Sequence, residues 1–193
     1  MNWLRIRSLM VLALLGGVLV PSAPAAAQGT YWSRADLLRS FFPDCERVTY
    51  TRLELSPEQR KAVARRLGAA APERFTVFYG LSKGKLAGYA ILDEERGQHE
   101  PISFGVLTDA HGQVARVEVM VYRESYGEEV REERFREQFT GKGAKDPVRV
   151  GQDIVAISGA TISSRALAIG TKRAVVLLNE LVITPGLTLA TSR

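Results

Sequence analysis

The chain has 193 residues, a formal net charge of +5 and charges of both signs mixed along its length, so a nucleic-acid partner is not indicated. Its one cysteine, Cys45, excludes an internal disulfide, a thiolate metal cluster and c-type haem attachment, and is read as a buried, inert thiol. His99 and His111 are too few and too isolated to suggest a zinc site.

Arg5 and Arg7 precede an apolar run from Ser8 to Val20, Pro21 breaks it, and Ala25-Ala26-Ala27 offers a small-residue cleavage site before Gln28. That is the layout of a secretory signal peptide, and it predicts removal of residues 1–27 and export to the periplasm or the outer face of the cytoplasmic membrane. The rival reading is an uncleaved anchor, although the run is shorter than the ~20 residues a spanning helix prefers. Cleavage would take away Arg5 and Arg7 and lower the net charge from +5 to +3. What remains suits one domain with a proper core.

Ser33 caps a short helix carrying Leu37, Leu38, Phe41 and Phe42, which Pro43 stops. Residues 46–54 alternate loosely as a strand. Ser56-Pro57-Glu58-Gln59 is a capping-box helix start, Val63 and Leu67 share a face, and Gly68 ends that helix. Residues 28–74 are taken together as an N-terminal extension to a main unit at 75–185. Phe75, Val77 and Tyr79 alternate, as do Ile102, Phe104 and Val106, with Gly80, Gly84, Gly88 and Gly97 as punctuation. Asp109-Ala110-His111-Gly112 reads as a hairpin connection. It leads to a strand at 114–122 with Ala115, Val117, Val119 and Val121 on one face and Arg116 and Glu118 on the other. A short helix is expected around Glu128–Phe139, with Phe135 and Phe139 one turn apart, and then a loop. A long helix from about Ser163 to Leu181 carries Leu167, Thr171, Ala174, Val175, Leu178 and Leu181 at helical spacing. The pattern is α+β: a mostly antiparallel sheet with packed helices, in a single domain.

The segment Ser158-Gly159-Ala160-Thr161-Ile162-Ser163-Ser164 stands apart as a small-residue turn feeding that last helix. Gly159 and Ala160 let a bulky group approach the backbone. The first helical N–H groups lack internal partners, and with the helix dipole they favour an anion such as phosphate. Ordinary helix capping by Ser and Thr is the plain alternative on spacing alone. A Walker loop is excluded because no Gly-Lys-Ser/Thr follows, and a nucleophile elbow because the Gly-x-Ser-x-Gly order is absent.

This segment closely resembles the flavinylation motif of the FMN-binding domain family. That family includes the flavin-carrying subunits of the sodium-pumping quinone reductase and of Rnf-type complexes, and many small exported FMN-binding proteins. Gly88-Tyr89-Ala90, Gly97 to Phe104, Tyr122 to Gly127 and Phe139-Thr140-Gly141-Lys142 are similar to family landmarks in family order, over roughly residues 75–181. The resemblance implies FMN as cofactor, held as a phosphoester on Thr161. It further implies a separate flavin transferase that installs the group from FAD with magnesium and releases AMP. Ser158, Gly159, Ala160, Ser163 and Ser164 would complete the phosphate site, and the Glu124–Gly127 turn would border the flavin. There, Tyr126 would stack and Glu124 accept from a ring N–H. His99 and Lys142 are weaker candidates, each more simply read as solvated. The family often has an acid six residues before the acceptor Thr. Val155 holds that place here, and Asp153 is the nearest acid. No constellation for substrate turnover is visible, so the reading is an exported electron carrier between membrane-bound or periplasmic redox proteins. The alternatives are an exported binding module without covalent flavin and a flavin-dependent reductase.

Overall fold

The computed structural model describes residues 29–186. The expected leader at 1–27 lies outside the described residues. The elements in chain order are α1 (Arg34–Phe41), β1 (Arg47–Glu54), α2 (Pro57–Leu67), β2 (Arg74–Ser82), β3 (Lys85–Arg96), β4 (Pro101–Asp109), β5 (Val114–Val121), α3 (Glu133–Arg136) and α4 (Thr161–Leu178). A 3-10 turn lies on each side of α3, and a π-helical turn at Asn179–Ile183 extends α4. Among the described residues, no helix is long and apolar enough to cross a membrane.

The five strands pair antiparallel in sequence order, a meander β1-β2-β3-β4-β5. Side chains alternate across a strand, so each strand serves two cores. On one face Ile91, Ile102, Phe104, Val106, Val117 and Val119 meet α4 through Leu167, Ala174 and Val175. On the other, Ala90 and Met120 meet Leu37 and Phe41 of α1 and the adjoining Phe42. The result is three layers, with α1 on one side of the sheet and α2 and α4 on the other. Two close approaches set the spacing: a Cβ at Gly170 of α4 would overlap the Phe104 ring, and one at Gly105 would strike Leu37. Residues 29–74 thus contribute a strand and two helices to the same layered body.

The helix starts form as their sequences predict. The Ser33 side chain accepts from the Asp36 N–H, the Ser56–Gln59 capping box is complete, and Gly68 ends α2 in the left-handed region. Three expectations need correction. First, the longest strand is β3, which the alternation does not reveal; its last four residues are Asp93-Glu94-Glu95-Arg96, with no apolar alternation. Those acids are there because Arg173 of α4, largely buried, pairs with Asp93 at 2.8 Å and Glu95 at 2.6 Å. Second, irregular register toward both ends of the β4–β5 pairing breaks the simple alternation of β5. Val114, not Ala115, joins Val117 and Val119 in the core; Ala115 is exposed and Val121 turns toward the α1 side. Third, the expected helix at 128–139 is one helical turn flanked by 3-10 turns, and Phe135 and Phe139 pack edge-to-face at 5.6 Å.

Candidate functional site

The turn before α4 is built by its small residues. The Ala160 N–H donates to the Ile157 carbonyl at 3.0 Å, and Gly159 between them sits at φ +82° with open space where a Cβ would go. A third turn position at positive φ is what a type II turn requires, and glycine adopts it without strain. The 18-residue α4 starts at Thr161, two residues earlier than the periodicity suggested. No side chain caps it, and its first turn contains no acid. Uncapped N–H groups at the start of a long helix suit a phosphate.

The hydroxyls of the segment fall into two groups. Ser163 and Ser164 are buried and engaged. Ser164 Oγ donates to the Ala160 carbonyl at 2.8 Å and accepts from the Ile157 N–H at 3.2 Å. The Tyr122 hydroxyl donates to the Tyr126 carbonyl, so the 2.8 Å bond between Tyr122 and Ser163 takes its proton from Ser163 Oγ. Ser158 and Thr161 are accessible, and among the described residues neither hydroxyl has a protein partner. Of these, Thr161 alone stands on the helix, at its first residue.

The structure brings the second candidate segment against the first. Gly127, at φ +92°, leaves no room for a side chain between the Tyr122 hydroxyl, Ser163 Oγ and Ala160 Cβ. Tyr126 is 83% exposed. Glu124 is placed differently from the expectation. Its side chain is buried, and Oε1 accepts from the backbone N–H groups of His99 at 2.7 Å and Glu100 at 3.1 Å. Burial alone would raise its pKa, but those N–H donors, with the His99 ring beside them, hold it below the usual value. It therefore clamps the β3–β4 connection. His99 is solvent-facing, with Nδ1 3.4 Å from Glu124.

Two further residues correct the sequence reading. Lys142 is neither solvated nor free for a phosphate, because Nζ pairs with Asp153 at 3.0 Å and both side chains are 20% exposed. Asp153 also accepts from the N–H groups of Arg149 at 2.8 Å and Val148 at 3.1 Å. Against the raising effect of burial, these partners hold its carboxyl below the ordinary range. Asp153 is thus an internal brace and does not point out in place of the missing acid. Val155 is 75% exposed, its backbone held on both sides by the Gln138 amide at 2.8 and 3.2 Å. Between Ser158, Val155, Gln138 and Arg134 lies an open cleft of about 480 Å3. No local cue points to Gln138, or to Tyr122 as the anchor of Ser163, because their partners lie 17 and 41 residues away. Among the described residues no cluster of His, Cys, Asp or Glu could hold a metal.

Residues 97–176 match the family model described as FMN-binding domain. This segment is an FMN-binding domain. The match contains the whole site, from the Glu124 turn to Thr161, and FMN is the cofactor it supports. The fold is similar to the crystal structure of Shewanella oneidensis NqrC, with a TM-score of 0.52 and 16% identity over 77% of this chain and 87% of that one. A Na(+)-translocating NADH-quinone reductase subunit from Parabacteroides distasonis aligns over 67% of this chain and 78% of its own, at 18% identity and a TM-score of 0.42. No curated protein matches the sequence. The residues present fit the cofactor: an uncapped helix start without acids, an open glycine turn and an unpartnered hydroxyl meet at one place.

Proposed function

We propose that the FMN-binding domain holds FMN as a phosphoester on Thr161, and that the exported protein relays electrons between membrane-bound or periplasmic redox proteins. The observation that carries this reading is the free Thr161 hydroxyl at the first residue of an uncapped helix, beside serines already engaged within the fold. The flavin supplies the redox chemistry. The chain's part is to hold and orient it. The α4 N–H groups stabilise phosphate charge, Gly159 gives access, and the Tyr122–Ser163 bond fixes the 124–127 turn against the helix. A separate flavin transferase would make the ester. The fold shared with Shewanella oneidensis NqrC is consistent with the electron-carrying role. The test is the intact mass of the mature protein from its native compartment, which reads leader removal and FMN attachment together. A yellow protein whose mass shows loss of residues 1–27 and gain of one FMN is the expected result. Colourless protein would favour a binding module of the same fold.

A further inference from the structure

The flank of α4 leading away from Thr161 borders a groove of about 790 Å3, formed with the end of α2 and the 145–152 loop. Arg65, Arg66, Lys145, Arg149, Arg165 and Lys172 line it, and its one acid, Asp146, accepts from the Gly143 N–H. Arg66 pairs with Glu180 at 3.3 Å and Lys172 donates to the Ala144 and Asp146 carbonyls. Among the described residues, the side chains of Arg65, Lys145, Arg149 and Arg165 have no acidic partner. The crowding is felt inside the groove: burial first, then the Arg66 charge, pushes the Lys172 pKa down. Residues Arg65 and Arg66 are explained by the carbonyl end of α2. Lys145, Arg149 and Arg165 come from other elements and are not. Leu67, Ala168 and Ile169 add apolar surface to its lining, the last 52% exposed.

The groove also lies close to the flavin site. Arg165 and Ile169 stand one and two turns beyond Thr161, roughly 6 and 12 Å along the helix axis. A protein seated here stands beside whatever Thr161 carries. A flat anionic surface would not fill a concave groove, whereas a protruding helix with acidic and apolar faces matches both its charge and its apolar lining.

We propose that this groove receives an acidic, amphipathic segment of the protein that exchanges electrons with the flavin, an assignment that rests on the functional reading above. Redox encounters of this kind are small and steered by charge.

The test titrates the mature chain with a synthetic amphipathic helix bearing Glu on one face and Leu on the other. Binding is read by calorimetry and by the Ile169 methyl resonance. We expect saturable one-to-one binding that weakens with salt, an Ile169 shift, and an affinity loss of roughly tenfold or more in the Lys145→Glu/Arg149→Glu variant. The Lys145→Gln/Arg149→Gln variant should lose less, and it keeps the series readable if the reversal misfolds. Equal affinity in native and reversed proteins, binding without saturation, or stronger binding to phosphatidylglycerol vesicles than to the peptide would overturn the proposal. FMN content is read by absorbance on the same samples. Failure to bind the peptide in a chain that carries FMN overturns this inference alone; failure to take up FMN in a chain that binds the peptide overturns the flavin reading.

Discussion

Replacing Gly127 with alanine tests whether the 124–127 turn and the start of α4 form one site. Gly127 has φ +92°, and an added Cβ would stand 2.7 Å from the Tyr122 hydroxyl, 2.8 Å from Ser163 Oγ and 3.3 Å from Ala160 Cβ. The left-handed backbone costs an L-residue about 1–2 kcal/mol. Overpacking in a tight site adds about 1–3 kcal/mol, giving about 3 kcal/mol in all. For a chain of this size that is a fall in Tm of roughly 6–12 °C. Gly141→Ala is the control, because Gly141 has φ +78° but nothing within 4 Å of its Cβ. It should lose only the backbone part, about 1 kcal/mol. Thermal unfolding by circular dichroism compares the two, and FMN uptake is measured alongside. Gly127→Ala should also impair uptake, since the wedge separates Tyr122 from Ser163, whereas Gly141→Ala should not. Equal falls in Tm, with uptake unchanged in both, would refute the claim that the turn and helix start are one packed unit.

Val155→Asp places a carboxylate at an exposed position six residues before Thr161, and it should raise the FMN-loaded fraction when the transferase is limiting. Complete loading of the native protein under those conditions would show that the acid is dispensable. Tyr126→Ala should change the flavin absorption spectrum or potential while leaving the attached mass intact; an unchanged spectrum and potential would remove Tyr126 from the ring site. Asp153→Asn should destabilise by about 2 kcal/mol near pH 7, because it unpairs Lys142 and weakens two N–H contacts. The folded-state carboxyl is held below its unfolded value, so its contribution is present above the unfolded pKa of about 3.9 and is lost as pH falls through the folded one. Urea midpoints of native and variant should therefore converge in acid, and a constant gap would contradict this.

What was legible in the sequence was whatever is encoded locally. Ser33, the Ser56–Gln59 box and Gly68 mark helix ends because capping involves residues within one turn. The α4 core stripe and the Asp109–Gly112 hairpin follow from periodicity and turn chemistry. The glycine turn ahead of α4 was legible for the same reason: Gly159, Ala160 and Thr161 are consecutive. Long-range pairing hid the rest. The acids of β3 look like a loop until Arg173, about 80 residues later, neutralises them. Glu124 read as a flavin ligand because its backbone partners, His99 and Glu100, lie on another connection. Lys142 looked solvated and Asp153 was only the nearest acid to position 155; the folded loop alone brings the two together. The β5 irregularities depend on pairing with β4, which its own alternation cannot reveal.

Whether Thr161 carries the flavin is decided by denaturing mass spectrometry. Native protein, Thr161→Ala and Ser158→Ala are each co-expressed with a flavin transferase. Thr161→Ala removes the unpartnered hydroxyl while the buried stripe of α4 stays in place, so its circular dichroism should match that of the native chain. Native and Ser158→Ala proteins should show the mass of one FMN, and Thr161→Ala should show none. A folded Thr161→Ala protein that still carries covalent FMN, with the increment lost in Ser158→Ala, would contradict the assignment and move the ester to the neighbouring turn.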